Sequence, residues 1–172
     1  MRYANGHVDF VVKEEGEDHA GIARVKLPEI QYKKVTSEGA GIMGGLEIPL
    51  AGMIDPMSVD IDFNSVTDAA MALGDGQWHN VALYDAFQYF NSESGMEELE
   101  AERIEMSIRC TKTALGTVAT ASAADASGTY SCRKIKVYKA GKVVMDIDQL
   151  NTKHVVNGVD AAAPLREALG MM

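Results

Sequence analysis

The sequence predicts a mainly β protein, with two packed antiparallel sheets arranged as a β-sandwich or half-barrel and one or two short helices. Two segments, 58–64 and 103–112, alternate apolar and polar residues as half-buried strands do. A third segment, 134–148, has the pattern of two strands joined by a tight turn. No internal repeat or interdomain linker separates these segments, so residues 1–172 are predicted to form a single domain.

Four further strands are predicted in the N-terminal part of the chain. Val8–Val12 and Ala23–Leu27 flank a polar, turn-rich stretch, and Pro28 closes the second of them. Gln31–Thr36 and Leu46–Leu50 lie on either side of a glycine-rich segment. These short runs, bounded by turn residues, extend the β pattern toward the N-terminus.

The alternating strands define which side chains should be buried. In 58–64 the apolar face consists of Val59, Ile61 and Phe63, and the polar face consists of Ser58, Asp60, Asp62 and Asn64. In 103–112 the apolar face consists of Ile104, Met106, Ile108 and Cys110. Because successive side chains of a strand point to opposite faces, we expect the apolar sets to form the core.

The remaining segments have local turn and capping signals. In the hairpin, Ala140–Gly141 forms the turn between a strand over 134–139 and a second strand over 142–148. Thr67 or Ser65 can cap a helix over 68–73, and Asp160 can cap a last helix that ends at Gly170.

Two stretches have weaker patterns. Trp78–Phe90 fits a helix or a strand, and its aromatic and β-branched content favours a strand; residues 113–128, rich in alanine and serine, predict a long mobile loop.

Composition limits the function classes. The formal net charge is -9, so the chain lacks the basic footprint with which proteins hold phosphates. The acidic balance is explained by solubility or by a surface that must not adhere to nucleic acid. Residues 1–10 carry no apolar secretory signal, and no apolar run approaches the ~20 residues of a membrane span. We expect a soluble protein, made in the cytoplasm, whose two cysteines stay reduced.

No motif calls for catalysis, a metal or a cofactor. The four histidines are widely spread and have no metal-ligand spacing. The pairs Asp60/Asp62 and Asp146/Asp148 each share a strand face, which suits a cation site or an acid–base pair but is more simply a solvated face. The glycines of 39–45 form no phosphate-binding motif. We therefore predict a protein that is not an enzyme.

Taken in order, three blocks of the sequence resemble the major tail tube proteins of contractile-tailed phages and R-type bacteriocins. The first runs from Val25 to Met53 and includes the glycine-rich segment, and the second is the acidic strand with the helix after it. The third begins at Thr129-Tyr130 and includes Asp146–Asn151, Val155–Asp160 and the final Leu165–Gly170. Residues 1–20 depart from the resemblance, because Val8-Asp9-Phe10 stands where the family has a different start.

The resemblance implies a structural subunit of an inner tail tube. It implies hexameric rings in which the subunits' strands close into one continuous β-barrel, and stacked rings that conduct DNA or ions after a surrounding sheath contracts. The implied partners are copies of the chain itself, sheath protein, tape-measure protein, and baseplate and terminator proteins, with double-stranded DNA passing unbound if the particle is a phage. The implied location is the bacterial cytoplasm during assembly and then the phage tail or the released bacteriocin.

Two surfaces receive roles under this hypothesis. The loop 37–46 should reach a neighbouring subunit through Gly39, Gly41, Ile42, Met43 and Gly44, because glycine permits unusual backbone and a solvated loop has no need of Ile42 and Met43. The polar face of Ser58, Asp60, Asp62 and Asn64 is the candidate lumen wall, where like charge would repel phosphates.

Three other functions remain compatible with the sequence. A type VI secretion tube protein would share the fold and the hexamer. A monomeric β-sandwich with a ligand cleft would form no filaments, and a hydrolase using paired aspartates would bind a divalent cation.

Overall fold

A computed structural model describes residues 1–171, of which the strands make up most. The strands are β1 (Arg2–Glu14), β2 (Glu17–Asp18), β3 (Ile22–Lys26), β4 (Tyr32–Ser37), β5 (Leu46–Ile54), β6 (Met57–Phe63), β7 (Trp78–Asn91), β8 (Met96–Ala114), β9 (Ala126–Lys139), β10 (Lys142–Asp148), β11 (Lys153–Val156) and β12 (Val159–Asp160). The helices are α1 (Asp68–Leu73) and α2 (Ala163–Ala168). The predicted class, mainly β with two antiparallel sheets and short helices, is confirmed.

The larger sheet is branched at β9. Its main path runs β12-β11-β10-β9-β8-β7-β1-β2, and β6 and β3 extend from the first half of β9. Ala126–Cys132 of β9 pair with β6, and Lys134–Lys139 of the same strand pair with β10. The second sheet consists of β4 and β5 alone. The chain as described does not close into a barrel, because its main path ends at two different strands.

The core lies inside the curl of the larger sheet. Val59, Ile61 and Phe63 of β6 are buried as the alternation predicted, together with Ile104, Met106 and Ile108 of β8. Side chains of β3 and β7 line one cleft although three strands separate them in the sheet order, so the sheet folds over its apolar face. This arrangement corresponds to the half-barrel form of the prediction.

Helix α1 covers one part of this core. The hydroxyl of Thr67 accepts a hydrogen bond from the N–H of Ala70 at 3.2 Å, so Thr67 rather than Ser65 is the cap. Ala69, Ala70 and Leu73 are buried against the sheet, and Gly74 ends the helix as predicted.

The prediction that Asp160 caps α2 is wrong. Asp160 lies in β12, and the N-cap position is held by Ala162, which makes no side-chain capping bond. Asp160 instead accepts from the N–H of Ala162 at 3.0 Å and pairs with Arg166 at 2.6 Å. At the other end, the N–H of Met171 donates to the carbonyl of Arg166, and Gly170 has φ +65°, which is a glycine-terminated Schellman motif.

Several predicted bounds were too short. β1 begins at Arg2 rather than Val8, and Trp78–Asn91 is a strand as favoured. β8 extends to Ala114 and β9 begins at Ala126, so the loop predicted over 113–128 is limited to 115–125. The first half of β9 was missed because alanine, glycine and serine carry little β propensity of their own, and cross-strand pairing with β6 and β8 decides their conformation.

Candidate assembly surfaces

The two-stranded sheet forms an arm, defined here as residues Tyr32–Ile54. Val35 pairs with Ile48 and Ser37 with Leu46, and every residue from 38 to 51 is exposed. Eight large apolar side chains of the arm are exposed: Tyr32, Val35, Ile42, Met43, Leu46, Ile48, Leu50 and Met53. A concentration of exposed apolar side chains on one element is typical of an interaction site in a folded protein.

The arm tip, residues 38–45, holds the five residues predicted for contact between subunits. Gly41 and Gly44 have φ of +90° and +84°, a conformation that other residues rarely adopt. The N–H of Ile42 donates to the carbonyl of Gly39 at 3.1 Å, which closes a tight turn. Met43 at the end of this turn is fully exposed. The turn therefore exposes the apolar side chain of Met43, and its backbone conformation depends on the positive φ of Gly41 and Gly44.

The base of the arm is attached to the body by contacts that sequence analysis missed. The hydroxyl of Tyr32 lies 3.1 Å from Nε2 of the buried His154, and the N–H of Asp55 donates to the carbonyl of Gln31 at 2.8 Å. Gly52, with φ +68°, packs against Ala162. The sequence did contain one signal for this contact: Gly52 lies inside β5, and a glycine within a strand often marks a place where another backbone approaches closely.

The exposed surface of the whole chain is larger than that of a compact monomer. The accessible area is 10996 Å². A folded monomer of this mass is expected to expose roughly 8,200 Å². The excess of about a third agrees with an arm and open strand edges that the rest of residues 1–171 leaves uncovered.

The polar face of β6 has the side chains predicted for the lumen wall, but their charges are partly balanced. Ser58 and Asn64 are exposed, and Asp60 and Asp62 are half-buried. Nη2 of Arg24 lies 2.6 Å from Oδ2 of Asp62. The hydroxyl of Thr129 donates to Asp60 at 2.8 Å. The face is therefore hydroxylated and of mixed charge, which could not be read from β6 alone.

The other groups singled out for chemistry have structural roles. Asp146 and Asp148 are buried rather than on a solvated face. Asp146 pairs with Lys153 at 2.6 Å. Burial tends to raise the pKa of Asp148, but hydrogen bonds from the side chain and backbone of Asn151 lower it below its ordinary value. Over residues 1–171, no three His, Cys, Asp or Glu side chains are placed to hold a metal ion, and no helix is long and apolar enough to cross a membrane.

Comparison with known proteins identifies a family. The family model described as phage tail tube protein FII matches residues 8–170. No curated protein sequence matches the chain.

Solved structures with a similar fold include two from an extracellular contractile injection system and one from the anti-feeding prophage. One is the sheath/tube terminator of an extracellular contractile injection system, PVC, in the extended state. Its TM-score is 0.53 at 13% sequence identity, and the match covers 75% of this chain and 92% of that chain. The PVC sheath-tube complex in the extended state has a TM-score of 0.53 at 14% identity, covering 76% and 88%. The tube-terminating cap of the anti-feeding prophage has a TM-score of 0.51 at 12% identity, covering 76% and 88%.

Proposed function

The chain belongs to the phage tail tube protein FII family and is a structural subunit, not an enzyme; on this premise we propose that it forms hexameric rings that stack into the hollow inner tube of a contractile injection system. The observation that carries the proposal is the arm, where every residue from 38 to 51 is exposed, the large apolar side chains of its tip included. Head-to-tail contacts between identical subunits close into rings or propagate into filaments, and a tube needs both.

The arm tip is proposed to bind a neighbouring subunit in the same ring or the adjacent one. Burying Ile42 and Met43 would contribute about 1.5–3 kcal/mol each. The glycines Gly39, Gly41 and Gly44 let the backbone approach the neighbour closely.

Open strand edges support ring closure. Arg2–Val11 of β1 pair with β7 on one side and with no described strand on the other. An edge of this length invites uncontrolled pairing unless another subunit occupies it. Pairing of such edges around the ring would join the separate curled sheets into one continuous barrel, which removes the edges.

The face of Ser58, Asp60, Asp62 and Asn64 is proposed to line the lumen. Together with Thr129 it offers short polar side chains, and the guanidinium of Arg24 beside it is paired with Asp62, so we expect a polyanion to pass without adhering. Carboxyl labelling of assembled tubes tests this orientation, and protection of Asp60 and Asp62 between subunits would contradict it.

The proposed partners are further copies of the chain, sheath protein, a terminator or cap, tape-measure protein and baseplate proteins. The chain resembles subunits described from a sheath–tube complex and from tube terminators, which supports the first three. Assembly is proposed to occur in the host cytoplasm before the particle carries DNA or ions.

Negative-stain electron microscopy with light scattering tests the assembly. Wild-type protein should form six-fold rings or hollow tubes, and Ile42→Asp should prevent ring stacking by burying a charge. Val118→Asp is the matched control, because Val118 is a fully exposed apolar residue of the 115–125 connection. Intact stacking of Ile42→Asp would contradict the role of the tip, and a monomer without filaments would favour the ligand-binding module.

A further inference from the structure

A cleft opens where β3 passes over the other layer of the curled sheet. It has a volume of about 260 Å³. Its apolar lining comes from two sides: Val25 and Leu27 lie beside the free edge of β3, and Phe10, Leu83 and Ile104 lie on the neighbouring strands β1, β7 and β8. The volume lies below the roughly 300–1,000 Å³ of typical small-molecule pockets. The cleft therefore suits one or two inserted side chains better than a metabolite.

A buried carboxylate distinguishes this cleft from a simple apolar groove. Asp85 lines it and is only 7% exposed. Its Oδ2 lies 2.5 Å from Nδ1 of His7, whose side chain is largely exposed. Its Oδ1 is buried and has no hydrogen-bond partner within the part of the chain that the structure describes. A buried acceptor without a donor is costly, so a natural occupant should bring a donor as well as apolar surface.

The arm tip has both properties. Met43 is fully exposed, so its side chain is free to contact a second molecule. Among described residues, the backbone N–H groups of Gly41, Met43 and Gly44 donate to no acceptor. Successive free N–H groups in a glycine turn form a cradle that favours an anionic oxygen.

We propose that the cleft lined by Asp85 is the receptor for the arm tip of a second copy of this chain, with Met43 inserted between Leu27 and Ile104 and a tip N–H donating to Asp85. The inference deepens the proposed function and rests on it. It names the residues that receive the arm and pairs the unsatisfied groups of one copy with those of the next.

Disulfide trapping tests this pairing. Met43→Cys and Leu27→Cys are combined in one chain that also carries Cys110→Ser, and the assembled protein is oxidised. Both positions are exposed, so the fold should persist and can be checked by circular dichroism. A disulfide requires Cα atoms within about 7 Å, which limits the readout to direct contact. The matched control combines Met43→Cys with Val118→Cys, another exposed position that does not line the cleft.

The expected result is a ladder of covalent oligomers for the Met43/Leu27 pair and monomers for the Met43/Val118 control, on denaturing gels run without reductant. If electron micrographs show tubes but the Met43/Leu27 pair remains monomeric, or the control cross-links equally well, the receptor assignment is wrong and the proposed function stands. If wild-type protein forms neither rings nor tubes, the proposed function fails and the receptor assignment fails with it.

Discussion

Gly52 lies against Ala162 so closely that a Cβ on residue 52 would stand 2.8 Å from the Cα of Ala162. Gly52 also has φ +68°, in the left-handed region. This contact holds the base of the arm on the segment that precedes α2. The direction in which the arm leaves the body therefore depends on the absence of a side chain at one position.

Gly52→Ala should destabilise the base of the arm. The substitution combines left-handed backbone with a clash against backbone atoms, and an expected loss is about 1–3 kcal/mol in the free energy of unfolding. Urea denaturation measures this loss. Gly44→Ala is the control, because Gly44 has φ +84° but open space around it. Equal losses in the two variants would show that backbone strain alone, and not the contact with Ala162, matters at Gly52.

His79 should make stability depend on pH. Its Nδ1 lies 2.8 Å from Glu14 and its Nε2 lies 2.8 Å from Asp75, and both nitrogens can donate only in the imidazolium form. Burial lowers the pKa of His79, but hydrogen bonds to Asp75 and Glu14 outweigh burial and raise it above the ordinary 6.5. The stabilisation is therefore complete below the unfolded pKa and is lost as pH rises through the folded pKa.

Comparison of wild type with His79→Gln measures this contribution. The difference in free energy of unfolding should be larger in acid than in alkaline buffer, with the change centred above pH 6.5. Asp75→Asn removes one anionic acceptor and should move the change to lower pH. A difference that is the same at all pH values would exclude the imidazolium assignment.

The parts of the fold that the sequence predicts are those whose cause is local. Alternation reveals the burial of one strand face, so Val59, Ile61 and Phe63 of β6 could be named as core residues in advance, although Cys110 at the end of the β8 set is only partly buried. Thr67 caps α1 through a hydrogen bond to a residue three positions away. The glycine-rich arm tip is also a local signal, and its contact with a neighbouring subunit through Ile42 and Met43 stays a prediction.

The parts that were missed depend on register between distant segments. Arg24 meets Asp62 only because β3 pairs with β6, so the acidic face looked more uniform in sequence than it is. Asp160 precedes α2 at a spacing that suits a cap, but Arg166 and β11 hold it in a strand. Asp85 joins the cleft because the sheet curls, a property that no single strand carries.

The two cysteines should differ sharply in reactivity. Burial raises the pKa of Cys132 to about 11, whereas the side chain of Cys110 is only partly buried. Since the thiolate is the reactive form, iodoacetamide near pH 8 should modify the folded chain at most once. Mass spectrometry should find two modifications after unfolding in urea. In Cys110→Ser the folded chain should stay unmodified, and rapid labelling of Cys132 in that variant would contradict its buried environment.

Arg166 should stabilise the C-terminal segment through two hydrogen bonds. Its Nη2 donates to Asp160 at 2.6 Å and its Nη1 donates to the carbonyl of Thr152 at 2.8 Å. Arg166→Met keeps much of the aliphatic volume but removes both donors, so we expect a loss of about 1–3 kcal/mol in the free energy of unfolding at neutral pH. Arg109→Met, at an exposed residue with one backbone hydrogen bond, is the control and should lose less.

The effect of Arg166→Met should fade in acid. The hydrogen bond from Arg166 lowers the pKa of Asp160 below its ordinary 3.8, and backbone N–H groups of Ala162 and His154 act in the same direction against a raising effect of burial. A lowered pKa contributes stability above the unfolded pKa, and that stability is lost as pH falls through the folded pKa. The difference in free energy of unfolding between wild type and variant, measured in urea, should therefore shrink as pH falls below 3.8, leaving the part due to the hydrogen bond to Thr152. If the difference persists undiminished in acid, the contribution of Arg166 comes from packing and from the bond to Thr152, not from the charge of Asp160.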